Sequence, residues 1–215
     1  MKQILMALLV ALPVTAAAQN TWEIPQEETT QKQTALFDTK NDGHKTNPKY
    51  LEGAVPVNAD GKVEFTLDAD APGLTAAQIY DRIYLLMNQL VKESNQLKGS
   101  KVAAVNKDQR IIATVFKEDL IFQKSLLSLD ETEFDYTIIA TCTDGHLHAT
   151  LGRISYAYEL NREGGFKAPA EEVITDEWAL TKNKNKLAKY YGKFRQKTID
   201  RKDNLFQQMR DALKK

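Results

Sequence analysis

The sequence contains a single cysteine, Cys142, and no long hydrophobic run beyond the one at its amino terminus. One cysteine cannot form an internal disulfide bond, so the chain must rely on a hydrophobic core rather than on disulfide cross-links. Hydrophobic residues make up 42% of its 215 residues, which is sufficient for such a core. Basic and acidic residues number 29 each, so any excess of charge must be local.

Motifs of common active sites are also absent. The chain has no G-x-S-x-G, H-E-x-x-H, G-x-x-x-x-G-K-S/T or G-x-G-x-x-G segment. Acidic pairs such as Glu118-Asp119 and Asp176-Glu177 are typical of solvated faces and of the first turns of helices. The sequence therefore predicts a protein that is not an enzyme and carries no cofactor or metal. A hydrolase whose carboxylates meet only in the fold is the alternative.

Residues 1–18 have the pattern of a secretory signal peptide: a lysine, an apolar run from Ile4 to Val14 and then small residues. Small residues before Ala18 fit a signal peptidase, which predicts cleavage between Ala18 and Gln19. The apolar run is too short to cross a membrane as a helix. The mature chain is therefore expected in the periplasm or cell envelope, with no transmembrane segment.

The mature chain divides into three predicted parts. Residues 19–49 are an irregular, polar arm, residues 50–168 an α+β sheet domain, and residues 169–215 C-terminal helices packing on that domain. The charge is uneven, because Lys182–Lys215 has 12 basic and 3 acidic residues, whereas Gln19–Thr181 has 16 basic and 26 acidic ones. Such a basic tail either lies on the acidic body or reaches a polyanion.

The first half of the domain shows strand and helix signals in alternation. A hairpin is predicted around a turn at Asn58 to Gly61, and a second one from KVAAV and RIIATVF. Between them, Thr75 and Gln78 form a capping box that starts a helix expected to end near Gly99. The segment DLIFQKSLLSL fits either a strand or a short helical turn.

The segment CTDGHLH, residues 142–148, contains the cysteine and two of the three histidines, which raises the question of a metal site. Asp144-Gly145 is a strong signal for a two-residue hairpin turn. In that register His146 and His148 point to one side of the sheet and Cys142 to the other. A zinc site needs three or four converging ligands, so the pattern favours a turn over a metal site.

The strand after this turn predicts an irregularity. Its apolar residues occupy odd positions from Leu147 to Leu151 and even positions from Ile154 to Tyr158. A strand cannot change this parity without an extra residue, so we expect a β-bulge at Gly152-Arg153, where glycine tolerates the necessary backbone angles.

The C-terminal part is predicted to be helical, with a short helix in AEEVITDEWAL and an apolar stripe from Lys184 onward. Gly192 weakens the first part of this stripe, and Asp200 and Asp203 are expected to start a second piece near Asn204. Aromatic and basic residues interleave here, which resembles a surface for nucleic acid or anionic lipid, although a packed amphipathic helix with solvated lysines is favoured. The candidate basic surface consists of Lys189, Lys193, Arg195, Lys197, Arg201 and Lys202.

Four segments occur in order along the chain: PKYLEGAVPV, APGLTAAQIYDRIY, LSLDETEFDYTIIATCTDGHLHATLGRISYAYE and KFRQKTIDRKDNLF. With the elements ordered as strand, helix, about four strands and helix, they resemble a family of exported Bacteroidota proteins, a domain of unknown function with a TBP-like fold. The resemblance extends from Lys49 to Leu213. It implies an antiparallel sheet of about five to seven strands with helices packed on one face. It carries over no catalytic or ligand residues, since none are assigned in that family. A TBP-like fold does not by itself imply DNA binding.

Together these observations predict an exported α+β protein that serves as a binding or assembly module of the cell envelope. Its partner is expected to be a protein or an envelope glycan or lipid rather than nucleic acid, which an exported protein rarely meets. The alternatives are docking on anionic lipid or glycan through the basic C-terminal helix, and the hydrolase named above.

Overall fold

Six strands and three α-helices form the part of the chain that the structure, a computed structural model, describes: residues 46–125 and 128–214. The strands are β1 Phe65–Asp70, β2 Lys101–Asn106, β3 Ile111–Lys124, β4 Leu129–Thr143, β5 His146–Tyr158 and β6 Phe166–Pro169. The helices are α1 Ala76–Leu90, α2 Asp176–Ala179 and α3 Gly192–Lys214, with 3-10 turns at Pro48–Tyr50 and Ala170–Glu172. The predicted signal peptide, its cleavage between Ala18 and Gln19, and most of the predicted arm lie outside the described residues.

The strands form one antiparallel sheet in the order β1-β5-β4-β3-β2, and β6 pairs with the second half of β5. Helices α1 and α3 pack against each other and against the sheet. Alternate side chains of β3, β4 and β5 are buried beneath the helices, since successive residues of a strand point to opposite sides. The predicted α+β sheet with helices on one face and a long C-terminal helix is confirmed.

The hairpin between β4 and β5 turns at Asp144-Gly145, as predicted. Cys142 pairs with Leu147, and Gly145 adopts a φ of 73°, which a two-residue hairpin turn requires and glycine tolerates. The interpretation of CTDGHLH as a tight turn is therefore confirmed.

The predicted β-bulge is also present. Thr137 pairs with Gly152 and Asp135 with Ser155, so β5 contains one more residue than β4 over this stretch. The conformational reason was wrong, however, because Arg153 rather than Gly152 adopts the left-handed backbone, with a φ of 53°. The extra residue shifts the parity of β5, so both of its halves bury apolar side chains on the helix side.

Helix α1 begins as predicted and ends earlier than predicted. The capping box of Thr75 and Gln78 is present with both of its hydrogen bonds. The helix ends at Leu90 instead of near Gly99, because Asn95 and Leu97 form backbone hydrogen bonds with β3 on either side of a bridge between Gln96 and Glu118. Backbone groups used in that pairing are not available to a helix.

The first predicted hairpin is reduced to a turn. The turn at Asn58 to Gly61 exists, but only Val57 and Val63 pair across it, and β1 pairs with β5 instead. The second predicted hairpin is confirmed as β2 and β3. The ambiguous segment that follows continues β3 to Lys124.

The C-terminal third differs from the predicted helices. AEEVITDEWAL forms a 3-10 turn and the four-residue α2 rather than one short helix, and the chain from Lys184 to Tyr191 is not helical. From Gly192 onward α3 is continuous, without the break predicted near Asn204. A Cβ atom at Gly192 would lie 2.6 Å from the Cβ of Leu187, so this glycine permits the close approach of the preceding loop to α3.

Candidate binding surfaces

One side of the sheet carries α1 and α3, and the side chains of β1, β3, β4 and β5 on the opposite side are half-buried or exposed. We call this opposite side the open face. An antiparallel sheet with one solvated side normally places polar residues outward. The centre of the open face departs from that pattern, with mostly apolar or β-branched residues: Ile111, Ala113, Val115, Thr137, Ile139, Thr141 and Thr150. Contiguous surface of this kind is typical of interaction sites.

One end of the open face holds a cluster of two histidines and two aspartates. His146 and His148 of β5 pair across the sheet with Asp70 and Asp68 of β1. The Nδ1 of His146 lies 3.1 Å from Asp70 Oδ1, and its Nε2 lies 3.2 Å from Asp68 Oδ1. The same Asp68 oxygen is 2.9 Å from Nδ1 of His148.

These contacts favour a charged His146. Carboxylates only accept hydrogen bonds, so both ring nitrogens of His146 can donate to them only when the imidazole is protonated. The hydrogen bonds to Asp70 and then to Asp68 raise the pKa of His146 above its ordinary value. Conversely, the hydrogen bonds from His148 and His146 lower the pKa of Asp68.

Sequence reasoning had found no carboxylate beside the histidines. Asp68 is 80 positions from His148 along the chain, and only the pairing of β1 with β5 brings them together. The available signal was the alternation of Asp68 and Asp70, which places both on one side of β1. That signal does not identify the neighbouring strand.

The other end of the open face is acidic. The Nζ of Lys117 lies 3.4 Å from Asp135 and 3.8 Å from Glu133. Burial and the neighbouring Glu133 raise the pKa of Asp119, while burial and Asp119 raise the pKa of Glu131. A cationic group from a partner would relieve this repulsion between carboxylates.

Cys142 lies on the helix side of the sheet and is 2% exposed. Burial raises the pKa of its thiol to about 12. We therefore expect slow reaction with thiol reagents in the native state and fast reaction in denaturant, since the thiolate is the reactive form. Replacing Cys142 with Ala should lower the free energy of unfolding by about 1 kcal/mol, as measured by urea titration. Equal labelling rates in both states would contradict this assignment.

The raised pKa of His146 predicts a pH dependence. Because its folded-state pKa lies above the ordinary value of about 6.5, its contribution to stability is complete below that pH and is lost as the pH rises through the folded pKa. NMR titration of the imidazole should give a midpoint above the ordinary value. Asp70→Asn should lower the midpoint, whereas Asp81→Asn, a change on the exposed side of α1, should not. A midpoint that is unchanged in Asp70→Asn would contradict the role of the hydrogen bond between His146 and Asp70.

In the described ranges, 46–125 and 128–214, the positions of ligating side chains and the lengths of the helices bear on metal and membrane binding. Within them, no group of three or more His, Cys, Asp or Glu side chains is arranged to hold a metal ion. No helix in the same ranges is long and apolar enough to cross a membrane.

An open cleft of about 670 Å³ is lined in part by acidic side chains. Its Glu171 accepts a hydrogen bond from the backbone N–H of Val63, and its Asp176 accepts one from that of Gly53. These two carboxylates therefore hold neighbouring segments of the fold together.

Three of the six residues predicted as a basic surface donate hydrogen bonds to acceptors far along the chain. Arg195 and Arg201 are 0% and 5% exposed, so they lie inside the protein rather than on its surface. Lys193 is half-buried, with its Nζ 2.8 Å from Asp130 and 4.4 Å from the ring centroid of Tyr158.

The other three are spread along the chain that leads into and through α3. Lys189 is exposed in the loop before α3, and Lys197 is half-buried. Lys202 forms an ion pair with Asp203 and lies over the ring of Phe65. The six positions are thus not gathered into one exposed patch.

The fold defines a class: a six-stranded antiparallel sheet, with α1 after the first strand and a long C-terminal helix, is an α+β protein with a TBP-like fold. The chain belongs to the DUF4468 family, a domain of unknown function with a TBP-like fold, whose model matches residues 65–157. The resemblance seen in the sequence is therefore confirmed.

Two solved structures are similar to this one. A DUF4468 family protein from Bacteroides ovatus is 37% identical, with a TM-score of 0.72, and the match covers 79% of this chain and 96% of that one. A TBP-like protein from Parabacteroides distasonis is 21% identical, with a TM-score of 0.56 and coverage of 74% and 97%, a likeness of fold alone. None of the curated proteins matches this chain.

Proposed function

We propose that the protein is an exported, non-catalytic binding module of the cell envelope, and that it binds a protein partner through the open face. The observation that carries the proposal is the apolar centre of that face, which lies between two charged ends. Fully buried interface centres are depleted of charge and rims are polar, so this distribution fits a protein interface.

The charges of the open face indicate the kind of partner. Asp119 and Glu131 are crowded by other carboxylates, and Lys117 is already shared by Asp135 and Glu133. An apolar patch flanked by basic residues on the partner would complement both the centre and this acidic end.

Export is supported by the pattern of residues 1–18 and is tested separately. We expect the native protein, purified from the envelope fraction of a producing cell, to begin at Gln19. Mass spectrometry of the intact chain checks this. A chain that retains Met1 in that fraction would overturn the proposed export.

The binding surface is tested with Ile139→Glu, which places a charge at the centre of the open face. The matched control is Leu85→Glu, because Leu85 lies on α1 away from the sheet and is 60% exposed. A partner that cross-links to the mature chain in envelope extract is identified and purified. Its affinity is then measured for the native chain, for Ile139→Glu and for Leu85→Glu.

The native chain and Leu85→Glu should bind the partner with the same affinity. Ile139→Glu should bind at least ten-fold more weakly, which corresponds to about 1.4 kcal/mol for one disrupted contact. Thermal melts of the variants establish that each is folded. Equal affinity for all three proteins, or the absence of any partner that binds directly, would exclude the open face.

A further inference from the structure

A second surface lies in the loop between α2 and α3, away from the open face. The sequence from Lys182 to Lys189 contains four lysines and no acidic residue. Lys182, Lys186 and Lys189 are exposed, and none has an ion-pair partner among residues 46–125 and 128–214. These three lysines therefore present positive charge that no ion pair within the described residues compensates.

The loop is held in place by backbone hydrogen bonds. Leu180 and Leu187 form a bridge, and the N–H of Ala188 donates to the carbonyl of Ala179 at 2.8 Å. At the tip, the Nζ of Lys184 lies 2.7 Å from Glu52. A loop that is ordered in advance loses little conformational entropy when it binds.

Two exposed aromatic side chains flank this loop in the sequence. Trp178 is 44% exposed and Tyr190 is 47% exposed. Both contact Tyr191, whose ring centroid is 6.2 Å from that of Trp178 and 5.1 Å from that of Tyr190. The ring of Tyr190 also contacts Tyr158 and Phe166, so these exposed rings are anchored in the aromatic core.

We propose that Trp178, Lys182, Lys186, Lys189 and Tyr190 form a docking surface for an anionic lipid bilayer. We call these five residues the Trp-Lys surface. Trp and Tyr rings are amphipathic and favour the level of the lipid headgroups. Lysines beside them place their charged ends at anionic headgroups while their stems lie along apolar surface.

The predicted basic surface on α3 is thus replaced by one in the loop before it. Only Lys189 is common to the two sets. Arg195 and Arg201 of α3 are buried in the fold, whereas the lysines of the loop are exposed.

The test uses the mature chain with Trp22→Phe, which leaves Trp178 as its one tryptophan. Vesicles of phosphatidylcholine, with or without phosphatidylglycerol, are titrated into the protein while the emission of Trp178 is recorded. With anionic vesicles the emission should shift to shorter wavelength, and the affinity should fall as salt is added, because screening weakens attraction to the surface. Neutral vesicles should give no shift.

Replacing Lys182, Lys186 and Lys189 with Gln should weaken vesicle binding roughly 100-fold, since each lysine near an anionic surface contributes about five-fold. The matched control replaces Lys98, Lys101 and Lys124, which are also exposed, with Gln; this removes the same charge elsewhere and should leave most of the affinity.

Several results would overturn the docking surface. One is no binding to anionic vesicles, and another is equal binding to neutral ones. A third is an equal loss in both triple variants, which would mean that net charge alone matters. Binding to soluble polygalacturonate but not to vesicles would assign the Trp-Lys surface to an anionic glycan instead. None of these results depends on the open face, which Ile139→Glu tests separately.

Discussion

Replacing Arg201 with Met is expected to lower the free energy of unfolding by about 3–5 kcal/mol, because it leaves a buried carboxylate without its cation. Glu118 of β3 is 0% exposed, and its two oxygens each lie 2.8 Å from a nitrogen of Arg201. Arg201 also lies 2.8 Å from Glu93. Gln96 donates to Glu118 but brings no charge. Urea unfolding at neutral pH measures the change.

The control for Arg201 is Arg210→Met on the same helix, since Arg210 is exposed and should change stability by less than about 0.5 kcal/mol. The double variant Arg201→Met with Glu118→Leu should recover much of the loss, because both buried charges are removed together. A loss of under about 1 kcal/mol for Arg201→Met alone would contradict the assignment of a buried ion pair. Tyr136 lies beside this ion pair. It is buried, and its burial and the charge of Glu118 both raise its pKa.

Replacing Arg195 with Met is expected to cost about 3 kcal/mol, since its guanidinium joins three segments of the chain. Its Nε donates to the carbonyl of Tyr50 at 2.6 Å, its Nη1 to that of Ile174 at 2.8 Å, and its Nη2 to Leu51 and to Asp176. Without it, these buried acceptors lose their donor. The loss of stability should therefore be concentrated where the segment around Tyr50 and Leu51 meets α3.

Hydrogen exchange distinguishes this role from a general loss of stability. In Arg195→Met, amides of residues 50–54 and 173–176 should exchange faster at conditions where those of α1 are unchanged. Arg195→Lys should restore little of the protection, because one ammonium group cannot reproduce the planar fork of a guanidinium. Uniform acceleration across the protein would contradict a local role for Arg195.

The local features of the fold were predictable because neighbouring residues determine them. The capping box at Thr75 depends on a residue three positions away, and the turn at Gly145 on a dipeptide. The bulge after Leu151 followed from counting apolar positions along one strand, whose period of two tolerates no shift without an extra residue. These predictions needed no knowledge of which elements are neighbours in space.

The helix boundaries were less predictable, since they depend on competition for backbone hydrogen bonds. The chain after Leu90 pairs with β3 rather than extending α1, and that pairing is not encoded in the segment itself. Likewise, Asp200 and Asp203 look like helix starts in the sequence. In the structure Lys49 binds both of them, and α3 continues past them unbroken.

The sequence by itself determined the class of fold, the inward residues of the strand that follows the turn at Gly145 and the side of the sheet on which the cysteine lies. It did so because side-chain alternation and turn chemistry act over a few residues. Only the tertiary structure decided which charges are buried and which are exposed. Arg195 and Arg201 lie among basic residues in the sequence, yet both are buried in the fold, because they pair with acceptors far along the chain such as Glu118. Lys182, Lys186 and Lys189 of the loop before α3 meet no such acceptors among the described residues and stay at the surface, because burial of a charge requires a partner that only the folded chain can bring to it.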